Sequence, residues 1–448
     1  MSTHQARRLP VQRGPAAWSA ILPGQDAPVT LDGDIAVDVA IIGGGFAGLA
    51  AARRLRLADP SLKIAVLEAG RLAEGASGRN SGFMIDLPHD LSSEDYAGKG
   101  EKEDNAMIAL NREAIAFSRA AVEEYGINPA FFDPAGKING AAGEAGHHLN
   151  ESYSRHLTFL GEKNEMLDAR AMHEVTGSRH YMSGLYTPGT VMIQPAGFVR
   201  GYGAGLRRSG VSVFENAPAS AIERRGNGWS VTTPRGKVTS GAAILANNGH
   251  LESFGFAENR LMHVFLYASM TVDLDAESLK KLGGKPRWGV TPSDPMGTTM
   301  RRIDSAQGGN RIVTRTCAEF LPEMNPSQAS IERTAKVHRQ KFADRFPELA
   351  GVKQEYTWAG HLCLTWNGVE VMRELEPGLY SACGCNGLGT VRSTLLGMAA
   401  ADLVLKKRSS IAEHFLGEEE PRKLAPRPFS TIGANLFLRY KEWRARAE

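Results

Sequence analysis

The sequence predicts an α/β fold built on a largely parallel sheet, with an antiparallel sheet assembled from other segments of the chain. The first observation is a mostly apolar segment, Val37–Ile42, followed by glycines at G-x-G-x-x-G spacing, a helix and a second apolar segment, Ile64–Leu67. That order is typical of a β-α-β unit with two buried, parallel strands. The second observation is length, because 448 residues exceed the usual limit of one hydrophobic core and predict two closely packed domains.

Three glycines after the first strand each meet a different requirement of a phosphate-binding turn. Gly43 allows the tight turn into the helix, Gly45 leaves no Cβ to block a pyrophosphate, and Gly48 lets the helix pack closely on the sheet. The first helical residues, Phe46 and Ala47, present free N–H groups and the positive end of the helix dipole to phosphate oxygens. The unit therefore predicts a bound dinucleotide.

An acidic residue, Glu68, ends the second strand twenty residues after Gly48. Its carboxylate is placed to accept hydrogen bonds from ribose hydroxyls, and it would repel a 2′-phosphate. FAD or NAD is therefore favoured over NADP.

A Gly-rich loop, Arg71–Gly82, follows where an NAD-binding domain would normally continue to its next strand. An extended FAD needs more donors beyond the ribose, and glycines permit close backbone approach. The loop favours FAD over NAD, although a flexible surface loop is the alternative. The contacts expected in this region are Ala69, Arg71, Ala76, Ser77, Arg79, Asn80, Ser81 and Gly82.

A second Gly-rich turn lies more than three hundred residues further along the chain. Gly378–Ala382 is predicted as a short strand, Cys383–Thr390 as the turn, and Val391–Lys406 as a helix with basic residues at its C-terminal end. Such a turn can aim a second helix N-terminus at the flavin, where negative charge develops near N1 and C2=O. The residues expected there are Gly387, Leu388, Gly389 and Thr390.

These motifs, taken in order, resemble the D-amino-acid-oxidase-like (DAO) family of FAD-dependent amine and amino-acid oxidoreductases. Within that family the pattern is most similar to the branch of gamma-glutamylputrescine oxidoreductase and the sarcosine-oxidase-like enzymes. The matching segments are Val37–Leu55, Leu67–Phe83, Gly184–Glu215, Ala217–Ile222, Trp229–Gly249, Tyr356–Gly368 and Gly378–Thr390. The resemblance implies further FAD contacts at Ala219, Ala246 and Asn247.

The resemblance implies a Rossmann-like FAD-binding domain with a discontinuous, antiparallel-sheet substrate domain of α+β type. We expect an N-terminal arm over 1–35 and a C-terminal tail with a helix over 411–448. The FAD-binding domain is expected to combine 36–95, 190–260 and 345–410, and the substrate domain 96–189 and 261–344.

Two departures from the family pattern bear on the flavin. Gly387-Leu388-Gly389 stands where relatives have Gly-His-Gly, so any role of that histidine is absent. Some relatives bond FAD covalently to a His in the N-terminal loop or to a Cys before the final strand. The loop Gly75–Gly82 contains no His. Cys363 lies a few residues beyond the position expected for the family's Cys, and Gly360 is nearer to that position. Noncovalent FAD is therefore predicted, with a covalent link to Cys363 as the alternative.

The activity implied by the resemblance is oxidation of the C–N bond of a small primary or secondary amine or amino acid. Hydride would pass to flavin N5, and the resulting imine would hydrolyse to an aldehyde or keto acid. Dioxygen and another electron acceptor both stay open. Two alternatives are an NAD(P)H-dependent flavoprotein, whose nearest second motif is Gly201–Leu206, and a flavoprotein dehydrogenase subunit that needs a partner.

Residues that contact the substrate are harder to derive from the sequence. His361 is the preferred polar wall residue, with a structural histidine as the alternative. Arg302 and Arg315 are expected to face each other across a hairpin over 298–316, and either could hold a substrate carboxylate as a planar fork. The remaining candidates are His89, Trp366 and Arg392.

Composition excludes several other classes of protein. The net charge is +3 with 23% charged residues, and no basic block with interleaved aromatics indicates nucleic-acid binding. Four cysteines form no CxxC pair, so neither a metal site nor a disulfide redox centre is expected. The sequence shows no secretion signal and no apolar stretch of about 18 residues, so a cytoplasmic protein without a membrane span is expected.

Overall fold

The computed structural model describes residues 2–88 and 101–448, and these form mixed sheets and helices as the predicted α/β class requires. The strands are β1 (Thr3–Gln5), β2 (Ile35–Ile42), β3 (Ile64–Leu67), β4 (Phe83–Met84), β5 (Phe132–Asp133), β6 (Lys137–Ala141), β7 (Glu165–Asp168), β8 (Ser183–Thr187), β9 (Val191–Ile193), β10 (Ser212–Phe214), β11 (Ala221–Arg225), β12 (Gly228–Thr233), β13 (Gly236–Leu245), β14 (Leu261–Thr271), β15 (Trp288–Pro292), β16 (Thr299–Ile303), β17 (Arg311–Phe320), β18 (Gln354–Thr365), β19 (Val371–Glu376) and β20 (Leu379–Cys383). The helices are α1 (Ala17–Ala20), α2 (Phe46–Ala58), α3 (Glu101–Tyr125), α4 (Glu144–Phe159), α5 (Ala169–Thr176), α6 (Pro195–Arg208), α7 (Ala276–Leu282), α8 (Gln328–Arg345), α9 (Gly389–Val404), α10 (Ser410–Leu416) and α11 (Phe429–Arg444).

The first sheet has a parallel centre in the order β20, β13, β2, β3 and β10. The meander β11–β12 and the N-terminal half of β13 extend it with antiparallel pairs, and β19 pairs antiparallel with β20. Because the central strands are parallel, their carboxyl ends meet at one edge of the sheet. The residues that follow this edge are Gly43, Glu68, Ala246 and Gly384.

The two helices that follow the Gly-rich turns pack against each other. A Cβ at Gly397 of α9 would overlap the carbonyl oxygen of Ala47 in α2, so only glycine permits this close crossing. The two segments, far apart in sequence, are therefore neighbours beside the same sheet. This is the arrangement that the second Gly-rich turn predicted.

The second sheet follows the order β18, β14, β17, β16, β15, β6, β8 and β7, and only its β6–β15 pair is parallel. One face packs towards the first sheet, because Val313 and Ala268 belong to the same apolar core as helices α2 and α9. We call this the inner face. The outer face carries Ile312 and Met300, which pack with Phe342 of α8.

Several predicted elements differ from the structure. The sequence over 150–170 predicts a helix, but α4 ends at Phe159, and Glu165–Asp168 instead pairs with β8 as a strand. Gly161, at φ +75°, reverses the chain between them. The sequence over 436–446 predicts the helix of the tail, and the observed α11 begins earlier, at Phe429.

The domain boundaries stay a prediction, with one part corrected by strand pairing. The segment 345–410 was expected to lie wholly in the FAD-binding domain, but β18 pairs with β14 in the second sheet. β18 lies at the edge of that sheet, and eleven residue pairs join it to β14, from Leu261 opposite Thr365 to Thr271 opposite Gln354. Only β19, β20 and α9 from that segment belong with the first sheet.

A buried histidine under α8 predicts a pH dependence of stability. His338 is fully buried; its Nε2–H donates to the Thr316 carbonyl at 3.2 Å, and Ser269 Oγ lies 2.7 Å from Nδ1. Burial lowers the pKa of His338 from 6.5 to about 4, so the unfolded chain binds more protons between those values. The free energy of unfolding should therefore fall as pH drops from 6.5 towards 4.

The expected contribution of this one histidine is at most about 1.4 kcal/mol per pH unit. Urea denaturation at a series of pH values, compared with a His338→Gln variant, measures it. A variant that keeps the full wild-type pH slope would contradict the assignment. Paired carboxylates lose stability only at lower pH and do not interfere in the upper part of this window.

Candidate cofactor and substrate site

The first Gly-rich turn has the geometry of a close backbone cradle. Gly43 adopts φ +113°, and a Cβ there would lie 2.5 Å from the Ala246 carbonyl oxygen. A Cβ at Gly48 would overlap the carbonyl oxygen of Gly43. Gly45 precedes α2 without a side-chain cap, although Ser77 Oγ accepts a hydrogen bond from Phe46 N–H at 3.1 Å. Apart from the bond to Ser77, no side chain caps the backbone N–H groups at the start of α2.

The Glu68 carboxylate is held against the same turn. One oxygen accepts from Gly44 N–H at 2.7 Å and the other from Gly70 N–H at 3.3 Å. Burial raises the pKa of Glu68 above its ordinary value. The Glu68 side chain therefore stabilises the turn, and it also lies at the position predicted to contact the ribose.

A cavity of about 150 Å³ joins these elements at the carboxyl edge of the first sheet. Its lining includes both predicted contacts and residues of the N-terminal arm. Predicted contacts in the lining are Gly43, Gly45, Glu68, Ala69, Ala76, Ser77, Ala219, Ala246 and Asn247, with His361 as a predicted substrate contact. The arm contributes Arg8, Leu9, Pro10 and Gln12.

The loop over 71–82 uses its polar side chains differently from the prediction. Arg79 is buried and donates to the carbonyl oxygens of Arg13 and Gly14, each at 2.9 Å, and to that of Ala359 at 3.2 Å. Asn80 Nδ2 donates to Ser77 O at 2.7 Å. Arg79 holds the loop to the arm and to β18, and Asn80 stabilises the loop internally, because buried donors must find acceptors. These two side chains are therefore engaged with the protein itself.

The other predicted loop residues are placed as follows. Arg71 forms an ion pair with Glu215 at 3.0 Å and is absent from the cavity lining. The Ser81 carbonyl accepts from Arg301 Nη1 at 3.1 Å. Gly82 has φ +78°, and its carbonyl also accepts from Arg301 at 3.1 Å.

The second Gly-rich turn begins α9 at Gly389, after Leu388. Gly387 has φ +91°, a conformation that favours glycine. A Cβ at Gly389 would meet only Cys385 Sγ, at the ordinary distance of 3.7 Å. Thr390 Oγ1 donates to Phe83 O at 2.7 Å and so joins the start of α9 to the end of the first loop. The protein itself therefore leaves space at Gly389.

Arg315 lies on the inner face of the second sheet, opposite Thr299 of β16 and Ala268 of β14. Its Nε is buried and has no hydrogen-bond partner among the described residues. Burial lowers the pKa of Arg315 from 12.5 to about 10. A buried guanidinium donor without a protein acceptor needs another partner, such as a water molecule or a ligand.

Arg302 does not face Arg315, contrary to the sequence expectation. It lies opposite Ile312 on the outer face and donates to the Gly283 carbonyl oxygen. The register of β16 and β17 places the two arginines on opposite faces because successive side chains alternate along a strand. Arg302 is thereby removed from the candidate site.

Two further cations on the inner face were missed by sequence reasoning. Lys137 is buried and donates to Asn139 Oδ1 and, at 3.5 Å, to Thr291 Oγ1. Burial lowers the pKa of Lys137 to about 8 and that of Arg301 to about 9. Neither forms an ion pair with a carboxylate within the described residues. The sequence pattern of a short strand does not show whether a single polar residue, such as Lys137 or Arg301, lies on the buried or the exposed face.

His361 belongs to a hydrogen-bonded chain beside the cofactor cavity. Its Nε2 lies 3.2 Å from Nδ1 of His263, whose Nε2 lies 2.6 Å from a carboxylate oxygen of Glu252. Phe265 stacks on the His361 ring at 4.8 Å. Burial, together with His263 and His250, holds the pKa of His361 well below 6.5, so it is neutral there at pH 7.

The remaining predicted residues lie elsewhere. Trp366 is 70% exposed just beyond the end of β18 and is absent from the cavity lining. Arg392 forms an ion pair with Glu370 at 2.8 Å. Cys363 is fully buried in an apolar cluster and is absent from the cavity lining, and burial raises its pKa well above 9.0. His89 lies outside the described residues.

The pattern of the FAD-dependent oxidoreductase (DAO) family matches residues 38–403, which include both Gly-rich turns and the second sheet. The chain belongs to this family. It is therefore an FAD-dependent oxidoreductase, as the motif order predicted.

The similar proteins cover most of the chain. The gamma-glutamylputrescine oxidoreductase of Escherichia coli is 26% identical over 378 residues, covering 84% of this chain and 85% of that protein. The Rhizobium meliloti protein named oxidoreductase OrdL is 24% identical over 410 residues, covering 90% and 91%. Glycine oxidase from Geobacillus kaustophilus shares the fold, with TM-score 0.68, 20% identity and coverage of 86% of this chain and 99% of that chain.

No helix within residues 2–88 and 101–448 of this DAO-family protein is both long and apolar enough to cross a membrane. The four cysteines are all buried and free. The motif Gly201–Leu206 lies inside α6, as expected for a segment that does not bind a second nucleotide.

Replacement of Glu68 by Ala should weaken FAD binding by about 1–3 kcal/mol, the cost of losing charge-assisted hydrogen bonds. Equilibrium titration of the apoprotein with FAD measures the change. Glu68→Gln is the matched control, because an amide oxygen can still accept from Gly44 N–H while the charge is lost. Unchanged affinity in Glu68→Ala would mean that another group holds the ribose.

Proposed function

We propose that this protein oxidises the C–N bond of a small primary or secondary amine or amino acid, with noncovalently bound FAD as the electron acceptor. The product is an imine that hydrolyses to an aldehyde or keto acid. The observation that carries the proposal is the inner face of the second sheet, where Lys137 and Arg301 are buried and Arg315 is partly buried. Three cations on one largely buried face favour an amine that also bears a carboxylate.

The residues present fit FAD at the edge of the first sheet. The closely approached glycines Gly43 and Gly48 and the backbone N–H groups at the start of α2 suit a pyrophosphate. Glu68 suits the adenosine ribose. The space beside Gly389, with the N-terminus of α9 behind it, suits the N1–C2=O edge of an isoalloxazine ring. When bound there, FAD supplies a two-electron acceptor at N5.

Arg315 would bind the substrate carboxylate through its planar guanidinium. A substrate held on the inner face would present its α-carbon towards the first sheet, and this fixed orientation lowers the entropic barrier. Burial of the amine between the sheets favours its neutral form, since desolvation penalises the charged one. No side-chain base is required for this step.

His361 has a supporting role in this proposal. When the Nε2–H of a neutral His263 donates to Glu252, its Nδ1 accepts a hydrogen bond, and His361 donates that bond from Nε2. His361 Nδ1 then carries a lone pair, and the residue belongs to the lining of the cofactor cavity. The chain of three groups fixes this tautomer and the ring orientation.

An anaerobic screen of amines with and without a carboxylate, followed by flavin bleaching, tests the proposal. Bleaching by a carboxylate-bearing amine is expected. If NADH bleaches the flavin and no amine does, the proposal is overturned in favour of a nicotinamide-dependent flavoprotein. Acid precipitation should release FAD into the supernatant, and flavin that stays with the pellet would overturn the noncovalent assignment.

A further inference from the structure

The last helix carries its large apolar side chains on the outside. α11 has no buried residue in its 16, and its apolar set is more than half exposed. At 100° per residue these side chains fall within an arc of about 140°. The set is Phe429 (73% exposed), Ile432 (56%), Leu436 (66%), Phe437 (58%), Tyr440 (54%) and Trp443 (59%). We call this the outer face of α11.

The opposite side of α11 fixes the helix to β17. Asn435 Oδ1 accepts from Phe320 N–H at 3.0 Å, and Glu442 accepts from Ala318 N–H at 2.6 Å. Ala434 and Leu438 pack against the apolar residues of β14 and β17. Because polar hydrogen bonds occupy the inner side, the helix cannot turn its aromatic side chains inward without losing them. The outward apolar face is therefore built into the fold.

Basic residues border this apolar face, and some of them, such as Arg439 and Arg444, also form ion pairs with carboxylates of the fold. Residues 421–448 contain seven Lys and Arg against two Glu, whereas the whole chain has a net charge of only +3. Lys441 Nζ lies 5.6 Å from the ring centroid of Phe437, and the Arg446 guanidinium lies 4.6 Å from that of Trp443. Long cationic side chains beside aromatic rings are typical of helices that lie at a lipid–water boundary.

We propose that the outer face of α11 binds an anionic membrane surface, with the helix lying in the plane of the headgroups. Tyr440 and Trp443 suit that boundary, since each has an apolar ring and a polar atom. A second copy of the chain fits less well, because a two-fold contact through this face would bring the two basic borders together. The proposal does not depend on the identity of the amine substrate.

Co-sedimentation of the FAD-loaded protein with vesicles tests this. Vesicles of phosphatidylcholine with about 30% phosphatidylserine should bind the protein, and vesicles of phosphatidylcholine alone should bind it at least about tenfold more weakly. The double variant Leu436→Gln/Trp443→Gln should lose binding to both. Phe159→Gln is the matched control, because Phe159 is also an exposed aromatic, at 68%, but lies on α4.

A second variant, Lys441→Gln/Arg444→Gln, tests the charge separately and should lower binding only to the anionic vesicles. FAD content and melting temperature equal to wild type establish that each variant is folded. Failure of the wild-type protein to sediment with anionic vesicles overturns the proposal. So does self-association that the Leu436→Gln/Trp443→Gln variant abolishes without any vesicle binding in the wild type, since the face would then be a contact between copies.

Discussion

Replacement of Gly389 by Val should give a folded protein that no longer retains FAD. The structure leaves ordinary van der Waals space for a Cβ at this position, with Cys385 Sγ at 3.7 Å, so the protein itself tolerates a side chain. A bound isoalloxazine beside the start of α9 would not, because the added methyl groups would displace it from the helix N–H groups. Absorbance of the purified variant measures FAD content, and circular dichroism measures folding.

Two further variants make this test specific. Gly389→Ala should retain some FAD with a lowered reduction potential, because a single methyl group displaces the ring less. Gly351→Val is the matched control, since an added Cβ there meets nothing within 4 Å and the residue is exposed. A Gly389→Val protein with full FAD content and an unchanged potential would show that the turn only begins a helix.

Replacement of Arg315 by Gln should lower kcat/KM for a carboxylate-bearing amine by about 100- to 1,000-fold. This corresponds to roughly 3–4 kcal/mol, the range expected when one partner of a buried charge pair is removed. The turnover of an amine without a carboxylate should change much less. Steady-state kinetics with a matched pair of amines measures the difference.

Arg302→Gln is the matched control for Arg315, because the same substitution is made on the adjacent strand but on the outer face. It should leave both substrates within about twofold of wild type, as expected when a residue has no contact with the substrate. Arg315→Lys should recover only part of the loss, since an ammonium lacks the planar fork. Equal losses with both amines would indicate that Arg315 stabilises the sheet instead.

The elements that could be predicted from the sequence are those with local signals. The β2–α2–β3 unit was predicted because glycine spacing, apolar periodicity and Glu68 all lie within about thirty residues, where backbone geometry alone links them. The second Gly-rich turn has the same property. Family membership followed from the order of such local motifs and is confirmed by the match over 38–403.

The inner face could not be predicted, because it depends on pairing between distant strands. Whether Arg302 or Arg315 faces inward is decided by the register of β16 and β17, which the connecting turn sets. Lys137 reaches the same face through β6 and β15, which are separated by almost 150 residues. A shift of one residue in either register would exchange every inward side chain for its neighbour, and no local pattern specifies it.

The arm that lines the cofactor cavity has a kinetic consequence. Arg79 joins the carbonyl oxygens of Arg13 and Gly14 to the rest of the fold, while Arg8 and Gln12 line the cavity itself. Detachment of the arm would break these two partly buried hydrogen bonds and open that side of the cavity. We therefore expect a dinucleotide bound there to exchange faster when Arg79 is replaced, even where its own contacts with the protein are unaltered.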